Sequence, residues 1–123
     1  VICLDTNYLI QGIAPGSREG DHLREWIEAG EALITPMPAW FEFLCGPVTP
    51  IQIATMRAFL TELVSFGEDQ AAESARLFNA TGRKRALRVD AMIAGTAVAA
   101  RARLATNNRD DFKPFTAHGL ALL

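Results

Sequence analysis

The chain opens with Val1-Ile2-Cys3-Leu4-Asp5-Thr6-Asn7, VICLDTN in one-letter code. Four apolar residues without alternation read as a short strand covered on both faces, the kind found in parallel sheets. A carboxylate belongs inside such a strand only where a partner or a metal offsets its charge. At the strand's C-terminal end, Asp5 stands instead at the rim of the sheet, where open α/β proteins place their ligands. The reading turns on whether other acids reach the same rim.

Working outward, TNYLIQG suggests a short helix ending near Gly12 and the Pro15-Gly16 turn, and SREGDHLREWIEAG an amphipathic one with Leu23, Trp26 and Ile27 on one face, stopped by Gly30. ALIT is a second strand closed by Pro36, and PAWFEFLCG a helix stopped at Gly46-Pro47. TPIQIATMRAFLTEL follows as a helix with Thr49 as N-cap and Pro50 at its first position. LVSF is a third strand, and EDQAAESARLFNATG a helix ended by Gly82. From Asp90 the segment DAMIAGTAVAARAR is apolar almost all round, as a helix buried on several sides must be. LAT and GLALL supply two more strands. Alternating strands and helices predict an α/β fold, a three-layer α/β/α sandwich with a central parallel sheet of about five strands, residues 1–123 forming one domain.

The formal charge of −2 sets the chain apart from strongly basic nucleic-acid binders, although acids clustered in a site could mask basic residues elsewhere. Cys3 and Cys45 stand alone in apolar contexts and are expected to be small buried hydrophobes in a reducing compartment. No CxxC or Cys/His cluster suggests zinc. Without a signal peptide or a run long enough to span a bilayer, the expectation is a cytoplasmic protein with no membrane partner.

Most of the 14 acids, Glu19, Asp21, Glu25, Glu28, Glu68, Asp69 and Glu73 among them, fall on polar helix faces or near helix starts, where solvation explains them. Asp5, Glu42 and Asp90 do not fit that pattern. Glu42 is flanked by Phe41 and Phe43 just after the second strand; pairing with Arg57 is the alternative to a site role. Asp90 sits at the mouth of the buried helix, where capping is the alternative. A fourth acidic group follows the fourth strand in LATNNRDDF, where Asp110 or Asp111 with Asn107 or Asn108 either forms a turn or faces the rim beside Asp5. Strands one and four adjoin at the switch point of a doubly wound sheet, so groups following each share one crevice.

The ordered set LDTN, the acid in WFEFLCG, DAMIAGTA and LATNNRDDF resembles the PIN-domain nucleases, specifically the VapC toxins of bacterial toxin–antitoxin pairs, over essentially the whole chain. The resemblance implies that Asp5 and Asp90 are the principal metal ligands, Glu42 a third held directly or through water, and Asp111 the fourth catalytic acid. Many relatives carry an aspartate where this chain has Asn108, so the fourth role could be shared among Asn108, Asp110 and Asp111. Thr6, Asn7, Thr106 and Asn108 match polar positions that orient the acids.

The chemistry implied is hydrolysis of RNA phosphodiester bonds, leaving a 5′-phosphate and a 3′-hydroxyl. Clustered carboxylates repel one another unless a cation sits among them, and hard Mg²⁺ or Mn²⁺ suits such oxygen donors. Arg83, Lys84, Arg85 and Arg88 precede Asp90, and Arg109 and Lys113 flank the fourth acid, which suits phosphate positioning as well as an ordinary solvated face. Tyr8, Trp40 and Phe112 are expected in the core, and His22 and His118 lie outside the motifs. A VapB-like antitoxin covering the crevice, in relatives often with an arginine in the site, and a homodimer are the implied protein partners. Ile53, Met56 and Leu60 are candidates for those contacts, with core packing as the alternative that explains some of them.

A haloacid-dehalogenase phosphatase needs a second aspartate where Asn7 stands, a response-regulator receiver needs an acidic pair at the first strand's end, and a nicotinamide-binding domain needs GxGxxG there. A non-catalytic PIN-like module that binds RNA or protein, and a housekeeping RNA-processing nuclease, remain as alternatives.

Overall fold

A computed structural model describes residues Val1 to Leu123. Five parallel strands, β1 (Ile2–Leu4), β2 (Leu33–Pro36), β3 (Glu62–Val64), β4 (Arg103–Ala105) and β5 (Ala121–Leu122), lie in the order β3-β2-β1-β4-β5. The seven helices are α1 (Thr6–Gly12), α2 (Arg18–Glu28), α3 (Met37–Cys45), α4 (Pro50–Phe59), α5 (Glu68–Ala80), α6 (Arg88–Ala99) and α7 (Arg109–Phe112). The order makes β1 the switch point: the chain steps outward to β2 and β3, then returns to β1's other side as β4. Right-handed crossovers put α1 to α4 on one face of such a sheet and α5 and α6 on the other.

β1 is apolar throughout because it is central: Ile2, Cys3 and Leu4 are fully buried. Burial pushes the Cys3 thiol well above the usual thiol range and keeps it inert. The register pairs Leu4 with Ala105, which sets the next residues, Asp5 and Thr106, side by side at the C-terminal edge. In β2, Thr35 is fully buried and donates to the Leu4 carbonyl over 2.7 Å, satisfying a polar group immediately before Asp5.

Thr49 caps α4 and forms a reciprocal capping box with Gln52. Gly30 ends α2 in the left-handed region, φ +81°. α5 and α6 run antiparallel and nearly touch. A Cβ built on Gly95 would lie 2.5 Å from the Ser74 nitrogen and 2.6 Å from its Cα, so only glycine permits the approach. Tyr8, Trp40 and Phe112 all belong to the core, as expected. No helix is long and apolar enough to cross a membrane.

Several local expectations differ. Cys45 is exposed, not buried, because α3 turns Ala39, Trp40 and Phe43 inward and leaves Phe41, Leu44 and Cys45 on its outer side. Ile27 on α2 is likewise exposed, while Leu23 is buried. Met56 and Leu60 are core residues, with Ile53 packed against them, so they are not a docking face. α4 stops at Phe59, where Leu60 turns extended and Arg57 donates to the Leu60 carbonyl; Arg57 therefore does not pair with Glu42. β3 begins at Glu62 and ends at Val64, leaving Ser65 and Phe66 outside it. NNRDDF contains the one-turn helix α7 as well as a turn.

Candidate active site

The site begins with Asp5, the last extended residue before α1. Its backbone is fixed on both sides: its N–H donates to the Ala105 carbonyl, and its own carbonyl accepts from Tyr8 and Leu9. The side chain is only 4 % exposed, with Oδ1 accepting from the Thr6 N–H at 2.7 Å and Oδ2 from the Thr106 hydroxyl at 2.7 Å. That hydroxyl in turn accepts from the Asn108 N–H at 2.9 Å. The two Asp5 bonds favour its charged form, but burial outweighs them, and Glu42 and Asp111 push in the same direction as burial, so its pKa lies above the usual carboxylate range.

Glu42 is reached from the next strand: β2 leads directly into α3, whose second turn carries the acid to the rim. The Thr6 hydroxyl donates to Glu42 Oε1 over 2.9 Å, so Thr6 binds one acid through its backbone and another through its side chain. Asp90 lies in the first turn of α6, but no side-chain hydrogen bond caps that helix, whose N-cap is Leu87. The capping alternative is therefore not what the structure displays. Burial first, and then the charges of Asp5, Asp111 and Glu42, push Asp90 up to about 6. Among the candidates for the fourth acid, Asp111 rather than Asp110 acts on both Asp5 and Asp90.

Glu42 and Asp111 thus act on both Asp5 and Asp90, and no cation is among the charges acting on either of those two acids. No group of three or more His, Cys, Asp or Glu side chains closes into a ready metal cage. The donors still fit a hard divalent ion. All are oxygens, their charges are mutually unfavourable, and Mg²⁺ ordinarily keeps several waters and takes only one or two carboxylates. Asp5 and Asp90 could hold such an ion, with Glu42 and Asp111 within electrostatic reach.

The remaining candidates divide. Thr6, Thr106 and Asn108 take part in the hydrogen bonds that hold the acids. Asn7 makes no side-chain hydrogen bond there. Arg83, Lys84, Arg85 and Arg88 are exposed and form no ion pair; they lie in the turn joining α5 to α6 and at the start of α6, the end that carries Asp90. Arg83 adopts a left-handed φ of +57°, and its N–H donates to the Phe78 carbonyl, closing α5. Arg109 is occupied with the Leu123 carbonyl.

Beside Glu42 lies a groove of about 580 Å³, lined mainly by Met37, Pro38, Phe41, Phe66, Val89 and Met92, with Phe41 66 % exposed. Two site-related residues escaped the sequence reading. Thr35 gave no signal because a lone threonine in a strand is unremarkable. Glu19, expected on a solvated surface, is instead only 8 % exposed and bonded to Asn107.

The PIN domain family profile matches residues 2–115. The chain belongs to the PIN domain family. Solved structures agree on the fold. A chain of VapBC2 from Rickettsia felis, bound to a DNA fragment from their promoter, is 19 % identical with a TM-score of 0.76, covering 99 % of this chain and 96 % of that one. A chain of FitAcB from Neisseria gonorrhoeae is 18 % identical with a TM-score of 0.72, covering 100 % and 96 %. A chain of a toxin–antitoxin complex from Klebsiella pneumoniae is 25 % identical with a TM-score of 0.72, covering 91 % and 90 %. No match to this sequence is found among the curated proteins.

Proposed function

We propose that this PIN domain is a divalent-metal-dependent endoribonuclease that acts in the cytoplasm as the toxin of a VapBC-like pair and inhibits translation by cutting RNA. The observation that carries the reading is the gathering of buried Asp5 with Asp90, Glu42 and Asp111 at the C-terminal edge of the sheet, where burial first and then neighbouring carboxylates hold Asp5 and Asp90 above the usual carboxylate range. A protein that keeps such a cluster at the switch point of its sheet has a use for a cation there.

In this reading Asp5 and Asp90 would hold Mg²⁺ or Mn²⁺, and Glu42 would contribute directly or through water. The ion would lower the pKa of a bound water and offset charge building on the phosphorus centre. The Thr106 and Thr6 hydroxyls fix the carboxylates of Asp5 and Glu42, so neither rotates away as the substrate arrives. In the same reading Asp111 is the fourth acid and would accept a proton from the attacking water. Water's oxygen bonds to phosphorus as the bond to the 3′-oxygen breaks, and the 3′-oxygen takes up a proton. Arg83, Lys84, Arg85 and Arg88 hold flanking phosphates, a contribution that sets affinity but not sequence.

The toxin role rests on the likeness to a chain of the Klebsiella pneumoniae toxin–antitoxin complex and to a chain of VapBC2 from Rickettsia felis. A VapB-like antitoxin segment would cover the acids and fill the adjoining groove with apolar side chains, a basic residue meeting the carboxylates. The exposed outer side of α3, with Phe41 and Leu44, is available for that contact or for a homodimer.

The test is cleavage of an end-labelled RNA panel by antitoxin-free protein in Mg²⁺, in Mn²⁺ and in EDTA. Cutting in either metal, none in EDTA, and products bearing 5′-phosphates support the reading. An intact RNA panel in every condition would leave a non-catalytic binding module; cutting confined to a precursor RNA would favour the housekeeping nuclease.

A further inference from the structure

The segment after β4 carries Thr106, Asn107 and Asn108 with no regular structure of its own, yet its Thr106 hydroxyl must stay within 2.7 Å of Asp5. Something other than helix or sheet has to hold it. The side chain of Asn107 does so by reaching α2. Its Nδ2 donates to Glu19 Oε1 at 3.2 Å, and its Oδ1 accepts from Arg18 Nη2 at 3.4 Å. Arg18 also donates to Glu19 Oε1 at 3.3 Å, closing a three-residue ring.

Glu19 is built for this task and not for solvation. It lies in the first turn of α2, where a carboxylate suits the helix dipole, yet it is buried, in contrast to its exposed neighbours Arg18 and Asp21. Burying a carboxylate without hydrogen bonds is costly, so its donors are needed in place. Asn107 supplies one from 88 positions away in sequence, tying α2 to the rim of the sheet.

We infer that Glu19 and Asn107 are positioning residues for the acidic site: they pin the segment after β4 so that Thr106 keeps the Asp5 carboxylate oriented. The inference rests on the nuclease reading for its consequence in catalysis, but the pinning itself is measurable without it. Arg18 is mostly exposed and serves as an auxiliary partner.

The first readout is amide hydrogen exchange at Asn108, whose N–H is held by Thr106. In Asn107→Ala and Glu19→Ala that amide is expected to exchange at least about tenfold faster, while amides of β1 and β4 keep close to wild-type protection. Glu19→Gln, which keeps an acceptor oxygen for Asn107, should restore slow exchange. The second readout is Mn²⁺ affinity by calorimetry, where Asn107→Ala is expected to lose about 10- to 100-fold, the range found when a supporting partner of a ligand is removed. In RNA cleavage the same loss should fall on kcat with KM unchanged. Unchanged Asn108 exchange in both alanine variants overturns the inference, as does an effect confined to KM. Should the wild-type protein neither bind Mn²⁺ nor cut RNA, the nuclease reading fails by itself, and the exchange result still decides whether Glu19 and Asn107 pin the segment. If both alanine variants unfold, Glu19→Gln set against Asn107→Asp, which replaces the donating amide with a repelling carboxylate, gives the same contrast: slow exchange in the first and fast in the second is expected, and equal exchange overturns the inference.

Discussion

Thr106 and Asp5, separated by 101 positions in the chain, are joined by a buried 2.7 Å hydrogen bond from the hydroxyl to Oδ2. The pairing of Leu4 with Ala105 brings them together, so the same β1–β4 contact that organises the sheet also orients its most buried acid. Removing the hydroxyl with Thr106→Val keeps the shape but leaves Asp5 Oδ2 without its donor. The expected cost to stability is about 1–3 kcal/mol by thermal or urea denaturation, and about 10- to 100-fold in divalent-metal affinity.

The acids also predict a pH dependence. Asp90 is raised from an ordinary 3.8 to about 6 by burial and by the charges of Asp5, Asp111 and Glu42, so the folded state holds its proton more tightly than the unfolded chain does. The stability from that proton is full below pH 3.8 and is lost as the pH rises through about 6; Asp5, also raised, adds in the same direction. Melting of metal-free protein should show this contribution falling between those limits. Asp90→Asn should flatten that part of the profile and raise the melting temperature at neutral pH. Mn²⁺ should oppose the same loss.

Gly95 marks the closest approach of α5 and α6. A Cβ there would clash with the Ser74 hydroxyl and, more decisively, lie 2.5 Å from its backbone nitrogen. Gly95→Ala should destabilise the protein by about 1–3 kcal/mol or more, despite alanine's better helix propensity. Because the clash includes backbone, Ser74→Ala should not rescue it. Recovery in the double variant would show that only the hydroxyl was in the way.

The exposed cations before Asp90 should act on affinity and not on chemistry. Lys84→Ala and Arg85→Ala are expected to raise KM for every RNA tested, leave kcat nearly unchanged, and reduce the salt dependence of binding by roughly one phosphate contact each. A change in cleavage position instead would assign them to sequence recognition.

How much of this was legible beforehand follows from distance in the chain. Asp5 was visible because an apolar run has no local reason to end on an acid, and Asp90 because a helix apolar on nearly all sides begins there. The parallel sheet followed from the alternation of strands and helices, and the adjacency of β1 and β4 from the switch point of a doubly wound sheet; the full strand order is visible only in the structure. Glu19 was misplaced because an acid in the first turn of an amphipathic helix is normally solvated; only its link to Asn107 distinguishes it, and that link exists only once β4 lies beside β1. Cys45, Met56 and Leu60 were misplaced for a related reason. Both α3 and α4 are apolar on more than one side, so composition alone does not say which side faces the core.

The central claim is that Asp5 and Asp90 hold a divalent cation used to cut RNA. The most direct measurement is Mn²⁺ binding and single-turnover RNA cleavage by wild type, Asp5→Asn and Asp90→Asn, each first checked for a cooperative melt. The account predicts that folded Asp5→Asn and Asp90→Asn lose both Mn²⁺ binding and cleavage. Folded variants that bind Mn²⁺ and cut RNA as well as wild type would contradict it.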